Sequence, residues 1–225
     1  MRTQMATEAG TSTKPSDDRV LLGPNLLVVL DGVTEKAGSG CMHGVPWFAD
    51  QLSAAIMRFV HLEPGPALKE ALRHTAELHA GTCDLGHPGT PGAAVALVQI
   101  QDDRLRYLVL GDATVVVDTK QDLLVVSGTG AAAANPDAVD DALVGELALQ
   151  DVRRLAILTD GAARAVDMFG LFDWPKALDL MASSGPDDLI RRMRQVEKED
   201  AKAVDWPRDK VFDDATVVFF ERKLS

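Results

Sequence analysis

Several apolar runs in this chain begin or end at an aspartate, and this pattern constrains the fold more than any other feature. The run LLVVLDG ends at Asp31 and Gly32, LAILTDG carries Asp160, YLVLGD carries Asp112, and DDATVVFF begins at Asp213. A carboxylate at the end of a buried strand is costly unless it is paired or bound to a cation. One Asp-Gly is usually a turn, but several acidic strand ends in one chain favour convergence on a single site.

The apolar patterns predict strands and helices that are grouped along the chain instead of alternating. Apolar residues at helical spacing predict helices over 46–62, 66–80, 174–184 and 186–199. Strand-like runs occupy 19–22, 25–32, 93–100, 104–112, 113–119, 122–128, 155–161 and 214–222. Turn signals at 102–103 and 120–122 predict that the four runs from 93 to 128 form an antiparallel meander. Grouped elements of this kind predict an α+β fold with antiparallel sheets, and the length predicts one domain over 1–225.

The composition disfavours two classes of partner. The formal net charge is −11, and so acidic a surface repels nucleic acid and anionic membranes. No apolar run approaches the length of a membrane-spanning helix, and the first residues lack the apolar segment of a signal peptide. We therefore expect a cytoplasmic protein with neither nucleic acid nor membrane as its partner, while the oligomeric state stays open.

The two cysteines, Cys41 and Cys83, have a spacing that fits no zinc motif and no disulfide framework. Cys41 and His43 precede the first predicted helix. His43 has two open interpretations, a general acid for a leaving group or a residue that caps the helix. Cys41 is either a small buried side chain or a redox-sensitive or nucleophilic partner of His43. His74 and His79 fit surface or core positions on the second helix better than ligand positions.

Together these segments resemble the PP2C (PPM) family of metal-dependent serine/threonine phosphatases. The resemblance rests on GTSTKPSDD (10–18), LLVVLDG, YLVLGDATVVV, LAILTDG and FDDATVVFF, in that order over nearly the whole chain. It implies a compact, bacterial-like single domain. It also implies a four-layer αββα sandwich, in which helices cover the outer faces of two mainly antiparallel sheets.

The resemblance further implies a centre of two or three Mn²⁺ or Mg²⁺ ions. The implied metal ligands are Asp31, Gly32 through its carbonyl, Asp160, Asp213, Asp18 and Asp112. In this scheme Asp31 bridges two ions, and Asp18 and the preceding Asp17 act largely through bound water. Asp112 would help to hold a third ion. Oxygen ligands of this kind suit hard cations.

The implied activity is hydrolysis of phosphoserine and phosphothreonine by water that the metal ions activate, with Asp31, Asp160 and His43 as the catalytic residues. The implied substrate is a phosphorylated protein. Two alternatives remain open: a phosphatase-like enzyme that acts on a small phosphorylated substrate, and an inactive relative that only binds a partner.

Three departures from the family pattern motivate those alternatives. The phosphate-binding arginine falls at Thr13, and the adjacent Lys14 is the expected substitute, although a lysine offers no bidentate fork. Arg164 stands shortly after Thr-Asp-Gly, where the family often has an acidic residue. It either contacts phosphate or excludes the third ion. The Gly-Gly-His that usually follows the first Asp-Gly is delayed to His43.

Overall fold

The structure of the chain is a computed structural model, and it describes residues 2–33, 38, 40–129, 132–133 and 135–222. The strands are β1 (Arg2–Glu8), β2 (Arg19–Gly23), β3 (Leu26–Gly32), β4 (Gly92–Gln101), β5 (Arg104–Leu110), β6 (Thr114–Thr119), β7 (Leu123–Ser127), β8 (Ala132–Ala133), β9 (Leu143–Ala148), β10 (Val152–Leu158) and β11 (Ala215–Glu221). The helices are α1 (Gly44–Arg58), α2 (Pro64–His79), α3 (Asp160–Asp167), α4 (Trp174–Ser184) and α5 (Pro186–Glu199).

The strands form two antiparallel sheets that pack face to face. The first sheet has the order β1-β11-β10-β6-β7 and the second the order β2-β3-β4-β5-β9, with β8 beside β4. An apolar core lies between the sheets. A second core joins the second sheet to α1 and α2, and a third joins the first sheet to the helices α3, α4 and α5. The predicted αββα sandwich is therefore confirmed.

The four-layer arrangement explains why the central strands are continuously apolar. Successive side chains of a strand point to opposite faces of the sheet. In β3, Leu26, Val28 and Leu30 pack against the helices. Leu27 and Val29 of the same strand pack against the other sheet. Both faces are buried, so the sequence shows no alternation of apolar and polar residues.

Strands β1, β8 and β9 and helix α3 are absent from the sequence predictions. Strands β1 and β9 each lie at the edge of a sheet, and in β1 only Ala6 is buried. An edge strand with a polar surface carries little hydrophobic signal. Helix α3 has only 8 residues, from Asp160 to Asp167, which is too short for a clear helical pattern in the sequence. The four predicted helices are all present, and the bounds of α4 and α5 agree with the prediction.

The prediction of one meander from 93 to 128 is wrong. Strands β4 and β5 pair through a turn at Asp102 and Asp103, whose φ angles of 51° and 58° suit a tight hairpin. Strands β6 and β7 pair in the other sheet. Between these pairs the chain crosses from one sheet to the other at Gly111, where φ is 90°. The crossing places Asp112 at the end of the sandwich instead of within a hairpin.

Two further expectations concern the chain as a whole. Within the described part of the chain, each helix falls short of the length and apolar character that a bilayer span needs. The assignment of 1–225 to one domain stays a prediction.

A buried ionic network joins α3 and α5 to the segment before β11. Glu197 is 0% exposed and accepts hydrogen bonds from Arg194 Nη1 at 2.6 Å and Arg164 Nη1 at 3.3 Å. Arg194 Nη2 also donates to the backbone oxygens of Asp213, at 2.6 Å, and Glu8, at 3.1 Å. Glu197 thus pairs with two guanidinium groups, which are also paired with Asp213 (Arg164) and with Glu8 (Arg194).

We predict that Glu197→Gln lowers the free energy of unfolding by about 3–5 kcal/mol, because it leaves two buried guanidinium groups undercompensated. Urea denaturation measures the change. Glu199→Gln is the matched control, since Glu199 is exposed on the same helix and should change stability by less than about 0.5 kcal/mol. Equal effects of the two substitutions would contradict the importance of the network.

Candidate metal centre

The predicted acidic strand ends meet at one end of the sandwich. They surround a cleft of about 850 Å³ whose lining includes Asp31, Gly32, Asp112, Asp160, Arg164 and Asp213. Asp31 is the second-last residue of β3, Asp112 lies in the crossing between the sheets, and Asp160 begins α3. The backbone N–H of Asp160 donates to Asp31 Oδ2 at 3.1 Å, which joins the ends of the two sheets. Sheet packing thus brings together carboxylates from distant parts of the chain.

Asp18 lies buried beside the cleft, with 5% of its surface exposed. Thr159 Oγ1 donates to Asp18 Oδ2 at 3.2 Å, whereas Oδ1 has no hydrogen-bond partner among the described residues. Burial, reinforced by nearby carboxylates such as Asp214, raises the pKa of Asp18 to about 7. Among the described residues, Asp18 Oδ1 is therefore a buried acceptor that a cation could bind.

Asp31 shows the same excess of negative charge. Burial is the largest cause that raises its pKa well above the usual range, followed by the carboxylates of Asp18 and Asp160. Burial and Asp160 also raise the pKa of Asp112. Bound cations would relieve both the repulsion and the loss of hydration. The donor set, which is entirely oxygen, fits Mg²⁺ or Mn²⁺.

Asp213 differs from these carboxylates because the chain itself supplies its counter-charges. Its Oδ2 accepts a hydrogen bond from Arg164 Nη2 at 2.7 Å, and its Oδ1 accepts one from Lys210 Nζ at 2.6 Å. Arg164 is only 8% exposed, and its Nη1 is held by Glu197 and by the backbone oxygen of Lys210. The structure therefore places Arg164 at the cleft wall with its guanidinium bound to groups of the chain.

Lys14 lies beside the main cleft, not in its lining. It is exposed and borders an adjoining cavity of about 400 Å³, which also includes Lys210 and Asp213. Lys210 borders both cavities and is the cation that connects them. The sequence pattern does not single out Lys210. Its position three residues before Asp213 is the sequence feature that could have indicated their contact.

Two further acidic residues belong to the site. Asp214 Oδ1 accepts from the backbone N–H of Gly10 at 2.8 Å, and Oδ2 accepts from that of Asp17 at 2.6 Å. Asp214 thereby ties the segment before β2 to the segment before β11. Asp167 also lines the cleft. It follows Asp160 by seven residues, and that helical spacing puts both on one face of α3.

The glycines after the aspartates are required by close packing. A Cβ atom on Gly32 would lie 2.6 Å from Val45 Cγ1 and 2.7 Å from Asp17 Cβ. A Cβ atom on Gly161 would lie 2.0 Å from the backbone oxygen of Asp214. These positions let the acidic segments approach one another, which larger residues would prevent.

His43 lies in a different group from the cleft residues. Its Nδ1 is 3.3 Å from Cys83 Sγ and 3.8 Å from Cys41 Sγ, and its ring stacks on Trp47 with a centroid distance of 4.1 Å. His43 occupies the residue position before α1 without a side-chain capping bond. This setting differs from the one expected for a general acid in the cleft.

The comparisons with known proteins define the fold. No family model and no curated protein matches the chain. The solved Mycobacterium tuberculosis serine/threonine phosphatase PstP/Ppp has a TM-score of 0.67 at 13% identity, with 99% of each chain covered. The PstP catalytic domain in complex with two manganese ions gives 0.66 at 14% identity, covering 97% of this chain and 96% of that one. Stp1 from Staphylococcus aureus gives 0.66 at 13% identity, covering 99% and 95%.

This chain therefore has the fold of the bacterial PP2C-type serine/threonine phosphatases, as the sequence resemblance implied. At these identities the likeness concerns the fold.

We predict that Gly161→Ala lowers the free energy of unfolding by about 1–3 kcal/mol, because the added Cβ collides with the Asp214 backbone. The matched control is Gly81→Ala, where no atom lies within 4 Å of the added Cβ. Urea denaturation of both variants gives the comparison. A Gly161→Ala protein as stable as the control would show that the two segments are not closely packed.

We also predict a pH dependence that arises at Asp18. Its pKa is raised from 3.8 to about 7 on folding, so the folded protein binds an extra proton between these values. Its contribution to stability is therefore lost as the pH rises from about 4 to 7, by up to about 1.4 kcal/mol per pH unit. Urea denaturation in EDTA should show wild type losing stability relative to Asp18→Asn over this window. A difference that stays constant with pH would contradict the raised pKa.

Proposed function

We propose that the chain is a metal-dependent phosphatase that hydrolyses phosphoserine and phosphothreonine. The observation that carries the proposal is the meeting of Asp31, Asp112 and Asp160 in one cleft, beside the buried Asp18, where burial and neighbouring carboxylates raise the pKa values of Asp18, Asp31 and Asp112. A solved structure with the same fold, the PstP catalytic domain, is a complex with two manganese ions. That complex supports the choice of cation.

The residues fit two or three Mn²⁺ or Mg²⁺ ions. We assign the ligand atoms to the carboxylates of Asp31, Asp160, Asp213, Asp18 and Asp112 and to the carbonyl of Gly32. Oδ1 of Asp18, which has no hydrogen-bond partner among the described residues, and the buried carboxylate of Asp31 would both be stabilised by such ions. When bound, such ions lower the pKa of a water molecule and offset charge on the phosphoryl oxygens.

The chain's own groups keep this centre in order. The Asp160 N–H donates a hydrogen bond to one oxygen of Asp31 and so ties the end of β3 to the start of α3. The guanidinium of Arg164 orients Asp213. We assign this positioning role to Arg164 instead of contact with the substrate phosphate. Fixed carboxylates need not reorganise during the reaction, and this preorganisation is a main source of electrostatic catalysis.

Lys14 and Lys210 are the cations that we assign to the substrate phosphate. Both border the smaller cavity, and Lys210 also borders the cleft. Each provides a point charge instead of the bidentate fork of an arginine. Since Lys210 Nζ lies on Asp213 Oδ1 at 2.6 Å, phosphate binding and Asp213 compete for the same ammonium group.

An inactive binding protein is the second candidate. The observation that favours it is the pairing of Asp213 with both Arg164 and Lys210. These cations already neutralise a carboxylate that the phosphatase proposal needs as a metal ligand. A metal ion at Asp213 would compete with these cations for the lone pairs of its carboxylate.

The test is hydrolysis of a phosphothreonine peptide with and without Mn²⁺. We predict turnover that requires the metal and that falls at least about 100-fold in Asp160→Asn. Asp187→Asn, an exposed aspartate in the first turn of α5, is the matched control and should retain full activity. Parallel assays with small phosphate esters distinguish a protein substrate from a metabolite.

Calorimetric titration with Mn²⁺ separates the two candidates. A folded protein that binds Mn²⁺ but hydrolyses none of these esters would support the binding protein. A protein that neither binds Mn²⁺ nor hydrolyses the esters would contradict the metal centre itself.

A further inference from the structure

A second group of metal-ligating side chains lies outside the acidic cleft. It consists of Cys41, His43, His79 and Cys83, which we call the Cys/His cluster. One ligand atom from each residue lies within 4.8 Å of the ligand atoms of the other three. None of the four lines the cleft. The sequence spacing fits no zinc motif because Cys41 and His43 precede α1, whereas His79 and Cys83 lie at the end of α2 and just beyond it.

The cluster is built from two pairs of residues that are close in sequence, Cys41 with His43 and His79 with Cys83. His79 is the last residue of α2, and the backbone N–H of Cys83 donates to the His79 carbonyl at 3.0 Å. This helical turn places Cys83 directly beyond His79. Cys41 and His43 lie just before α1, and the backbone N–H of Asp84 donates to the Gly40 carbonyl at 2.9 Å. The two loops are thus held side by side.

The distances between donors are close to those of a tetrahedral site. The measured S to N distances are 3.3 Å for Cys83–His43, 3.6 Å for Cys41–His79 and 3.8 Å for Cys41–His43. Bonds of about 2.3 Å to sulfur and 2.0–2.1 Å to nitrogen give tetrahedral S to N edges of about 3.6 Å. The two sulfur atoms are 3.0 Å apart and would separate by about 0.8 Å around a metal ion.

His79 gives an independent indication of a ligand. It is only 1% exposed, and its Nδ1 faces Cys41 Sγ. Its Nε2 is buried and has no hydrogen-bond partner among the described residues. A buried imidazole is normally fixed by strong hydrogen bonds, whereas this one meets a thiol. Coordination through Nδ1 would fix the ring in place and leave the proton on Nε2.

The donor chemistry selects the metal. Two sulfur and two imidazole ligands form the set typical of structural Zn²⁺, and four protein ligands leave no open position for a substrate. Trp47 stacks on His43 and lies 5.2 Å from the His79 ring, so an aromatic side chain covers one side of the cluster. The all-oxygen donors of the cleft suit a different cation.

We propose that the Cys/His cluster is a structural Zn²⁺ site. It would join the start of α1 to the end of α2, and so fix the outer helical layer over the second sheet. It would also anchor the far end of the segment that leaves β3 at Asp31. The proposal does not depend on the phosphatase activity, because its readouts are metal content, absorption and stability.

The first experiment uses the full chain, purified under reducing conditions without chelator. Elemental analysis should find about one zinc per chain, and removal of the zinc should lower Tm. Titration of the zinc-free protein with Co²⁺ should give visible bands of a tetrahedral ion and a near-ultraviolet thiolate-to-cobalt band. Reduced, folded protein that binds Co²⁺ without the thiolate band would overturn the proposal, whatever the variants do.

Variants assign the metal to the cluster. Cys83→Ser should lose most of the thiolate band. It should also weaken Zn²⁺ binding by more than about 10–100-fold, which is the typical cost of losing an outer-shell partner. The double variant Asp31→Asn, Asp160→Asn should retain zinc and the band. Loss of zinc only in the aspartate variant would overturn the proposal. So would a Cys41–Cys83 disulfide with no zinc binding after reduction.

Discussion

The burial of neighbouring carboxylates at the end of the sandwich is the constraint on which the rest of the site depends. Asp18 and Asp31 carry raised pKa values because burial and neighbouring negative charge oppose their ionisation. The fold meets this cost at Asp213, which receives two positive side chains from the chain itself. Asp18, by contrast, has an oxygen, Oδ1, without a hydrogen-bond partner among the described residues. The pairing at Asp213 stabilises the protein without metal, and the oxygen of Asp18 provides a reason to bind one.

Arg164 links this electrostatic balance to the helical layer of the first sheet. Its guanidinium spans Asp213 at the cleft and the fully buried Glu197 on α5. Glu197 in turn holds Arg194, which donates to the backbone oxygen of Asp213. The same aspartate is therefore fixed by its side chain and by its main chain. A change on α5, distant from the cleft in sequence, would alter the geometry of a proposed metal ligand.

The segment from β3 to α1 connects the acidic cleft with the Cys/His cluster. It leaves the sheet at Asp31 and Gly32, where the Val33 N–H donates to the Gly92 carbonyl at 3.0 Å. It enters α1 after His43. Glycine at position 32 lets Asp17 and Val45 pack against this exit. The two proposed centres thus have different donors and different roles, but they fix opposite ends of one segment.

The sequence by itself determined the central strands, four of the helices, and the acidic ends that form the cleft. These features have local causes, namely apolar periodicity and a charged residue at the end of a buried run. Only the tertiary structure decided the division of the strands between two sheets and the polar edge strands. It also paired Arg164 with Asp213, and brought Cys41 to Cys83. Contacts between residues more than 40 positions apart depend on how sheets and helices pack, and no local pattern records that packing.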